Sequence, residues 1–248
     1  MSETRIAVVT GASAGIGAAA AHRLAGAGWR VHAGARREEK LSRALDGSGA
    51  VAHRLDVDDP ASVDAFAAAL PGEVHLLVNN AGFAAGVDRI ETAEVADWEA
   101  MYRTNVLGVL RMIRALLPRL RAADGAHVIN VGSIAGFETY PGGAGYTGSK
   151  HALRALTHTL RKELLGEPIR VTDVAPGLVE TEFSMVRFAG DRARADAVYA
   201  GMTPLTGDDV AECILWAASR PPHVNVDEIV VRPLDQATAT MVHRRDED

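Results

Sequence analysis

The chain has 248 residues, 48% of them hydrophobic and 23% charged, with a formal net charge of −6 at pH 7. That length suits one or two domains with a substantial core, and an acidic balance without a basic stripe argues against nucleic-acid binding. The single cysteine, Cys213, cannot form an internal disulfide, which fits a reducing cytoplasm; no continuous apolar run reaches membrane-spanning length and no secretory signal pattern opens the chain.

The first element, Arg5–Thr10, is an apolar run with β-branched residues and reads as a buried strand. It leads into Gly11-Ala12-Ser13-Ala14-Gly15-Ile16-Gly17 and the Ala-rich stretch Ala18–Ala27. Strand, glycine turn and helix together make a phosphate-binding context. Glycine lets the backbone approach a pyrophosphate, and the helix N-terminus offers free N–H groups and a partial positive charge. The spacing is Gly-x-x-x-Gly-x-Gly rather than the more usual Gly-x-Gly-x-x-Gly. A plain strand-to-helix turn with small residues for close packing fits the same run. The second strand, Val31–Ala35, ends at Arg36-Arg37, with no acidic residue from Arg30 to Arg37. An acidic residue there would bind the ribose hydroxyls of NAD, whereas arginine accommodates a 2′-phosphate, so the pair points to NADP. The structural alternative is a solvated basic start to the helix that continues Glu38-Glu39-Lys40.

Further strand-like runs lie at Val51–Leu55, Leu76–Asn79, His127–Val131, Ile169–Ala175 and Glu228–Val231, with helical patterns between them. This alternation predicts a single-domain α/β fold: a Rossmann-type, doubly wound, seven-stranded parallel sheet with helices on both faces. Two long helices are expected over Asp97–Leu120 and Tyr146–Leu165. The second opens on Tyr146-x-x-x-Lys150, and positions i and i+4 share a helix face. An ammonium beside a phenol favours the phenolate and lowers a tyrosine pKa from about 10. Such a tyrosine can exchange a proton with an alcohol or carbonyl near neutral pH, although this spacing also arises by chance. Ser133 stands thirteen residues upstream of the tyrosine. Residues 177–206 mix charge with Phe183, Phe188 and Tyr199 and show no strand pattern; they read as a lid over the C-terminal edge of the sheet. Cys213 reads as a buried helix position rather than a nucleophile. The nine histidines show no metal-ligand spacing, and His151 and His158 read as surface or interface residues.

These motifs together resemble the classical short-chain dehydrogenase/reductase family over almost the whole chain. The matching residues are Thr10-Gly11-x-x-x-Gly15-x-Gly17, Asp56-Val57, Asn79-Asn80-Ala81-Gly82, Asn105, Ser133, Tyr146-x-x-x-Lys150 and Pro176-Gly177, in the family's order and spacing. The resemblance implies that Gly11, Ser13, Gly15, Ile16 and Gly17 bind the cofactor, with Asp56 and Val57 at its adenine. Asn80, Ala81 and Gly82 would close over the adenosine ribose. Pro176, Gly177, Val179 and Thr181 would lie at the nicotinamide end. Ser133 would orient the substrate oxygen and Tyr146 would be the acid/base. Lys150 would bind the nicotinamide ribose while lowering the tyrosine pKa, and Asn105 would hold a relay water. Each position also fits a structural role. Asp56 could cap the helix near Pro60, and Asn79–Gly82 could be only a turn. Asn105 could be a satisfied core amide, and Ser133 a helix N-cap.

Residues 176–188, 80–86, 222–226 and 232–236 resemble more specifically the NADP-dependent 3-hydroxy acid dehydrogenases, also called serine or allo-threonine dehydrogenases. Near relatives of that subgroup reduce secondary-metabolite aldehydes. The implied reaction is reversible hydride transfer between NADP and the carbinol carbon of a small hydroxy acid. The acid's carboxylate needs a cation, and Arg187 is the candidate; an exposed arginine paired with Glu182 or Asp191 is its alternative. The rival functions are reduction of a larger aldehyde or ketone, and non-catalytic NADP sensing. In the family, the two long helices commonly pack against symmetry mates in tetramers. A homotetramer is therefore expected, with Trp98, Met101 and Leu156 as candidate interface residues and core packing as the alternative for each.

Overall fold

The structure, a computed structural model, describes residues 5–245. Nine strands follow along the chain: β1 (Ile6–Thr10), β2 (Arg30–Ala35), β3 (Val51–Arg54), β4 (Leu76–Asn79), β5 (Ala126–Val131), β6 (Ile169–Pro176), β7 (Val179–Glu180), β8 (Leu205–Thr206) and β9 (Glu228–Val231). Every residue of β1 is buried. Ala7 and Val9 enter one core and Val8 the other, as successive side chains on a strand must. A strand apolar on both faces needs cover on both sides, which parallel neighbours joined by helical crossovers provide. The result is the expected seven-stranded parallel sheet, in the order β3-β2-β1-β4-β5-β6-β9. β7 and β8 pair only with each other.

The helices are α1 (Gly15–Gly26), α2 (Glu38–Ala44), α3 (Pro60–Ala69), α4 (Val95–Tyr102), α5 (Val109–Ala122), α6 (Ala144–Glu163), α7 (Phe183–Arg187), α8 (Arg192–Ala197) and α9 (Gly207–Ala218). On one face of the sheet, Leu24, Leu41 and Ile214 from α1, α2 and α9 pack on Leu76 and Ile129. On the other, Phe66, Leu116 and Leu153 from α3, α5 and α6 pack on Leu77 and Val128. Full burial of such a side chain contributes about 1.5–3 kcal/mol. A buried polar ladder ties α6 to the sheet. The Asn79 amide donates to Asn130 Oδ1 at 2.8 Å, and Asn130 donates to Thr157 Oγ1 at 2.9 Å.

Strand order reverses between β1 and β4, so the crossovers diverge and a crevice opens at the carboxyl ends of the strands. Thr10 and Asn80 join the two strands across that point. Thr10 Oγ1 accepts from the N–H groups of Asn80 and Ala81, both at 3.0 Å. The Asn80 side-chain amide donates to the carbonyls of Thr10 and Gly11 at 2.9 and 3.2 Å. The glycine turn is therefore packed directly on the end of β4. Gly11 has φ +67° and Gly15 φ +55°, in the left-handed region that favours glycine.

Several expectations need correction. The helix expected over Asp97–Leu120 runs from Val95 to Ala122 with a π-helical segment, Arg103–Gly108, between α4 and α5. A single inserted residue of this kind leaves the apolar periodicity on either side intact, and so hides in the sequence. Segment 177–206 does contain strands: β7 and β8, each two residues long, too short to show alternation. α3 is capped by Asp59, which accepts from the Ala61 N–H at 3.0 Å, not by Asp56. Met101 is not a surface residue: it is 2% exposed and packs with Ala84, Ala135 and Tyr146. Trp98 and Leu156 are partly buried and packed against core clusters, so core packing accounts for them too. Cys213 is partly buried against the core; burial and the nearby Glu212 and Asp209 push its thiol pKa up, away from nucleophilic character. Among the described residues, no helix is long and apolar enough to cross a membrane.

A methyl group at position 17 would lie 2.4 Å from Asn80 Nδ2 and 2.6 Å from the Gly11 carbonyl oxygen. Gly17→Ala is therefore expected to cost about 1–3 kcal/mol, read by urea denaturation, and to weaken NADP binding measured by fluorescence titration.

Candidate active site

The expected site residues gather at the carboxyl ends of six strands. Gly11–Gly17 follow β1, Arg36 and Arg37 follow β2, and Asp56 and Val57 follow β3. Asn80, Ala81 and Gly82 follow β4, and Ser133 follows β5. Pro176 ends β6, with Gly177, Val179 and Thr181 just beyond. Asn105, Tyr146 and Lys150 come in from the side on the π segment and α6.

The cofactor end fits a dinucleotide. No side chain caps the N-terminus of α1, so its first-turn N–H groups remain available to an anion. Ser13 and Ile16 flank the turn and are half-buried. Thr181 closes over it, since a Cβ on Gly15 would meet the Thr181 side chain at 3.0 Å. Arg36 and Arg37 are exposed at the mouth of β2, and Arg37 also stands at the N-cap of α2. Glu182 reaches across to form ion pairs with Lys40 and, at 3.8 Å, with Arg37. Asp56 Oδ1 accepts from the Asp58 N–H at 3.0 Å. Val57 is buried, and a Cβ on Gly108 would lie 2.8 Å from its side chain.

At the other end of the crevice, Tyr146 is 8% exposed and meets Phe183 edge-on, with ring centroids 5.6 Å apart. Lys150 Nζ lies 5.9 Å from the Tyr146 ring centroid and donates to the Val131 carbonyl at 2.9 Å. Ser133 caps the short 3-10 turn Ile134–Gly136, accepting from the Ala135 N–H at 3.1 Å, and its hydroxyl also acts on Tyr146. Capping and proximity to the tyrosine thus coexist in one side chain. Asn105 is 1% exposed, and its side chain is fully engaged. Oδ1 accepts from the Phe83 N–H at 3.0 Å, while Nδ2 donates to the Phe83 carbonyl at 2.9 Å and to Ser149 Oγ at 3.0 Å. These contacts satisfy the side chain as the core-amide alternative expects.

Burial pushes the Tyr146 pKa above its ordinary value, and Tyr140 adds to the rise. Ser133 and the Arg187 guanidinium are what pull it back. Burial also lowers Lys150, to about 8, with Asp173 opposing the fall. Removal from water outweighs the attraction between groups that are not in direct contact.

Two residues were not foreseen. Tyr140, in the turn before α6, holds the Arg187 side chain. Arg187 NH2 donates to Tyr140 Oη at 3.1 Å, and Arg187 Nε donates to the Gly86 carbonyl at 3.0 Å. Its guanidinium carbon lies 5.8 Å from the Tyr146 ring centroid. Arg187 pairs with neither Glu182 nor Asp191: the former binds Lys40 and Arg37, and the latter caps α8. Gln236, 4% exposed, accepts from the Leu178 N–H at 2.8 Å beside Gly177. Its only sequence signal is its place in the 232–236 run. A narrow cavity beside Tyr146 is lined by Gly86, Asp97, Trp98, Met101 and Gly145.

The short chain dehydrogenase family model matches residues 5–192. A sulfoacetaldehyde reductase of Chromohalobacter salexigens is 45% identical over 238 residues, spanning 92% of this chain and 94% of that protein. An NADP-dependent 3-hydroxy acid dehydrogenase of Salmonella typhi is 41% identical over 246 residues, spanning 96% and 99%. The structure of a closed form of serine dehydrogenase complexed with NADP+ superposes with a TM-score of 0.91, at 40% identity, covering 97% of this chain and all of that one. The chain belongs to the short-chain dehydrogenase/reductase family. It is an NADP-dependent oxidoreductase acting on CH–OH groups.

Replacing Asn105 by Ala would leave the Phe83 N–H and carbonyl without their buried partner. The expected cost is about 1–3 kcal/mol, seen as a lower midpoint in urea denaturation. An unchanged midpoint would mean the amide does not brace the Gly82–Phe83 turn.

Proposed function

We propose that the chain interconverts a small 3-hydroxy acid, serine-like in size, and its 3-oxo form. The observation that carries this reading is Arg187. Its guanidinium is held by Tyr140 and the Gly86 carbonyl, stands beside the Tyr146 ring, and pairs with no carboxylate among the described residues. A guanidinium so placed suits a substrate anion a few ångströms from the reacting carbon. The names of the relatives agree on a small anionic molecule, a hydroxy acid in one case and a sulfonate in the other.

In this reading Gly11, Ser13, Gly15, Ile16 and Gly17 hold the cofactor phosphates, and Arg36 and Arg37 its 2′-phosphate. Asp56, Val57, Asn80, Ala81 and Gly82 hold the adenosine, and Pro176, Gly177, Val179 and Thr181 the nicotinamide end. When bound, NADP accepts or supplies the hydride. In reduction, Tyr146 Oη gives its proton to the oxygen that gains charge; in oxidation it takes the hydroxyl proton. The raised phenol pKa keeps Oη protonated at neutral pH. Ser133 Oγ donates a hydrogen bond to the same oxygen, strongest as charge develops. Lys150 holds the nicotinamide ribose and, once its ammonium faces the phenol, eases proton release. Asn105 braces the Gly82–Phe83 turn against α6 and holds a relay water toward Lys150. Residues 177–206 act as a lid, with Glu182 crossing to Arg37 and Lys40 at the adenosine end. The exposed Tyr102, Leu107 and Leu110 give a homotetramer an apolar surface to cover.

Initial rates with NADP⁺ on L-serine, L-allo-threonine, 3-hydroxypropionate and neutral alcohols of similar size test the proposal. Turnover of the acids is expected to dominate; faster turnover of neutral alcohols, or of aldehydes with NADPH, would move the substrate to a larger or uncharged carbonyl compound. Arg187→Ala should raise KM for the acids by about tenfold or more and leave neutral alcohols unaffected, tenfold being the loss of about 1.4 kcal/mol of binding. Tyr146→Phe should lower turnover by about 10²–10⁴-fold while NADP binding persists.

A further inference from the structure

Asp173 lies in the middle of β6, beside Asn130 of β5 and Glu228 of β9 in the sheet register. It is 2% exposed, and its Oδ1 is buried without a hydrogen-bond partner among the described residues. The carboxylate rests against Gly132, where a Cβ would fall 2.2 Å from that oxygen. Gly132 directly follows Val131, whose carbonyl takes the Lys150 ammonium at 2.9 Å. Carboxylate and ammonium therefore approach the same two residues of backbone, without the direct contact of an ion pair. Apart from that neutral carbonyl, Lys150 has no hydrogen-bond acceptor among the described residues, although it is only 7% exposed.

The groups facing Asp173 come from three elements. Lys150 and Arg154 of α6 favour its charge, as does the Gly132 N–H at the end of β5, while Glu228 of β9 and burial oppose it. Arg154 is already engaged with Glu228, at 2.8 and 3.3 Å. That leaves Lys150 as the cation not otherwise paired with a carboxylate. We propose that Asp173 is the counter-charge of Lys150, a positioning residue that keeps the lysine protonated while it serves Tyr146. The inference rests on the acid/base reading of Tyr146 and Lys150 given above.

The two groups perturb each other with the signs this requires. Burial raises Asp173 to about 6 while Lys150 draws it down; burial lowers Lys150 to about 8 while Asp173 holds it up. Between those values both groups are charged. Removing the carboxylate leaves the lysine with burial alone, so it loses its proton at lower pH.

The chain has only three lysines, Lys40, Lys150 and Lys162, so the Lys150 side-chain NMR resonance can be assigned and titrated directly. Asp173→Asn should move that titration down by about one pH unit or more, the size of an opposite-charge effect at close range. The alkaline limb of kcat/KM for carbonyl reduction should shift the same way. The Lys150 resonance in the wild-type protein should also show a second inflection near pH 6, where Asp173 gains a proton, and this second reading holds even if the variant fails to fold. An unmoved Lys150 titration in Asp173→Asn, or a single inflection in the wild type, overturns the inference. A Tyr146→Phe enzyme that keeps its turnover overturns the acid/base reading instead, and leaves the lysine titration to stand by itself.

Discussion

The site depends on the bridge between Thr10 and Asn80. Parallel strands that turn away from each other in sequence leave a gap at their carboxyl ends, and something must keep the gap open and fixed. Here one hydroxyl accepts two backbone N–H groups of the next strand, and one amide donates to two carbonyls of the first. These bonds bring the glycine turn so close to β4 that side chains at positions 11 and 17 would collide with it. The shape of the glycine turn is thus set by sheet topology, with the glycines as its consequence.

Much of this was readable in the chain. The seven sheet strands appear within one residue of their expected bounds at each end; β1 and β4 are plainest, because strands buried on both faces are continuous apolar runs. The glycine turn, Arg36-Arg37 and Tyr146-x-x-x-Lys150 were visible because each is local. What escaped was non-local or too short. β7 and β8 pair across 26 residues and have two residues each. The π segment adds a residue to a helix without any sequence mark. Met101 belongs to a helix with apolar residues on more than one face, so burial could not be told from an interface without its neighbours.

The charges show a further limit. Spacing in sequence places Lys150 near Tyr146, but not in a dielectric. Both groups lie inside the protein, and burial moves each toward its neutral form, the phenol up and the ammonium down. The clasp of Arg187 by Tyr140 joins residues 47 apart and has no local signature.

The last residues of the described chain form a strap. Gln236 holds Leu178, the Asp235 carboxylate accepts from the Thr203 N–H at 2.9 Å and binds Arg245, and the Arg245 N–H donates to the Gly201 carbonyl at 2.7 Å. Both ends of segment 177–206 are therefore fastened to the C-terminal tail rather than to the Rossmann sheet alone. Chimeras that exchange this segment between relatives will carry a mismatched anchor unless residues 232–245 travel with it. Selection on substrate range would then act on two stretches of sequence as one inherited module.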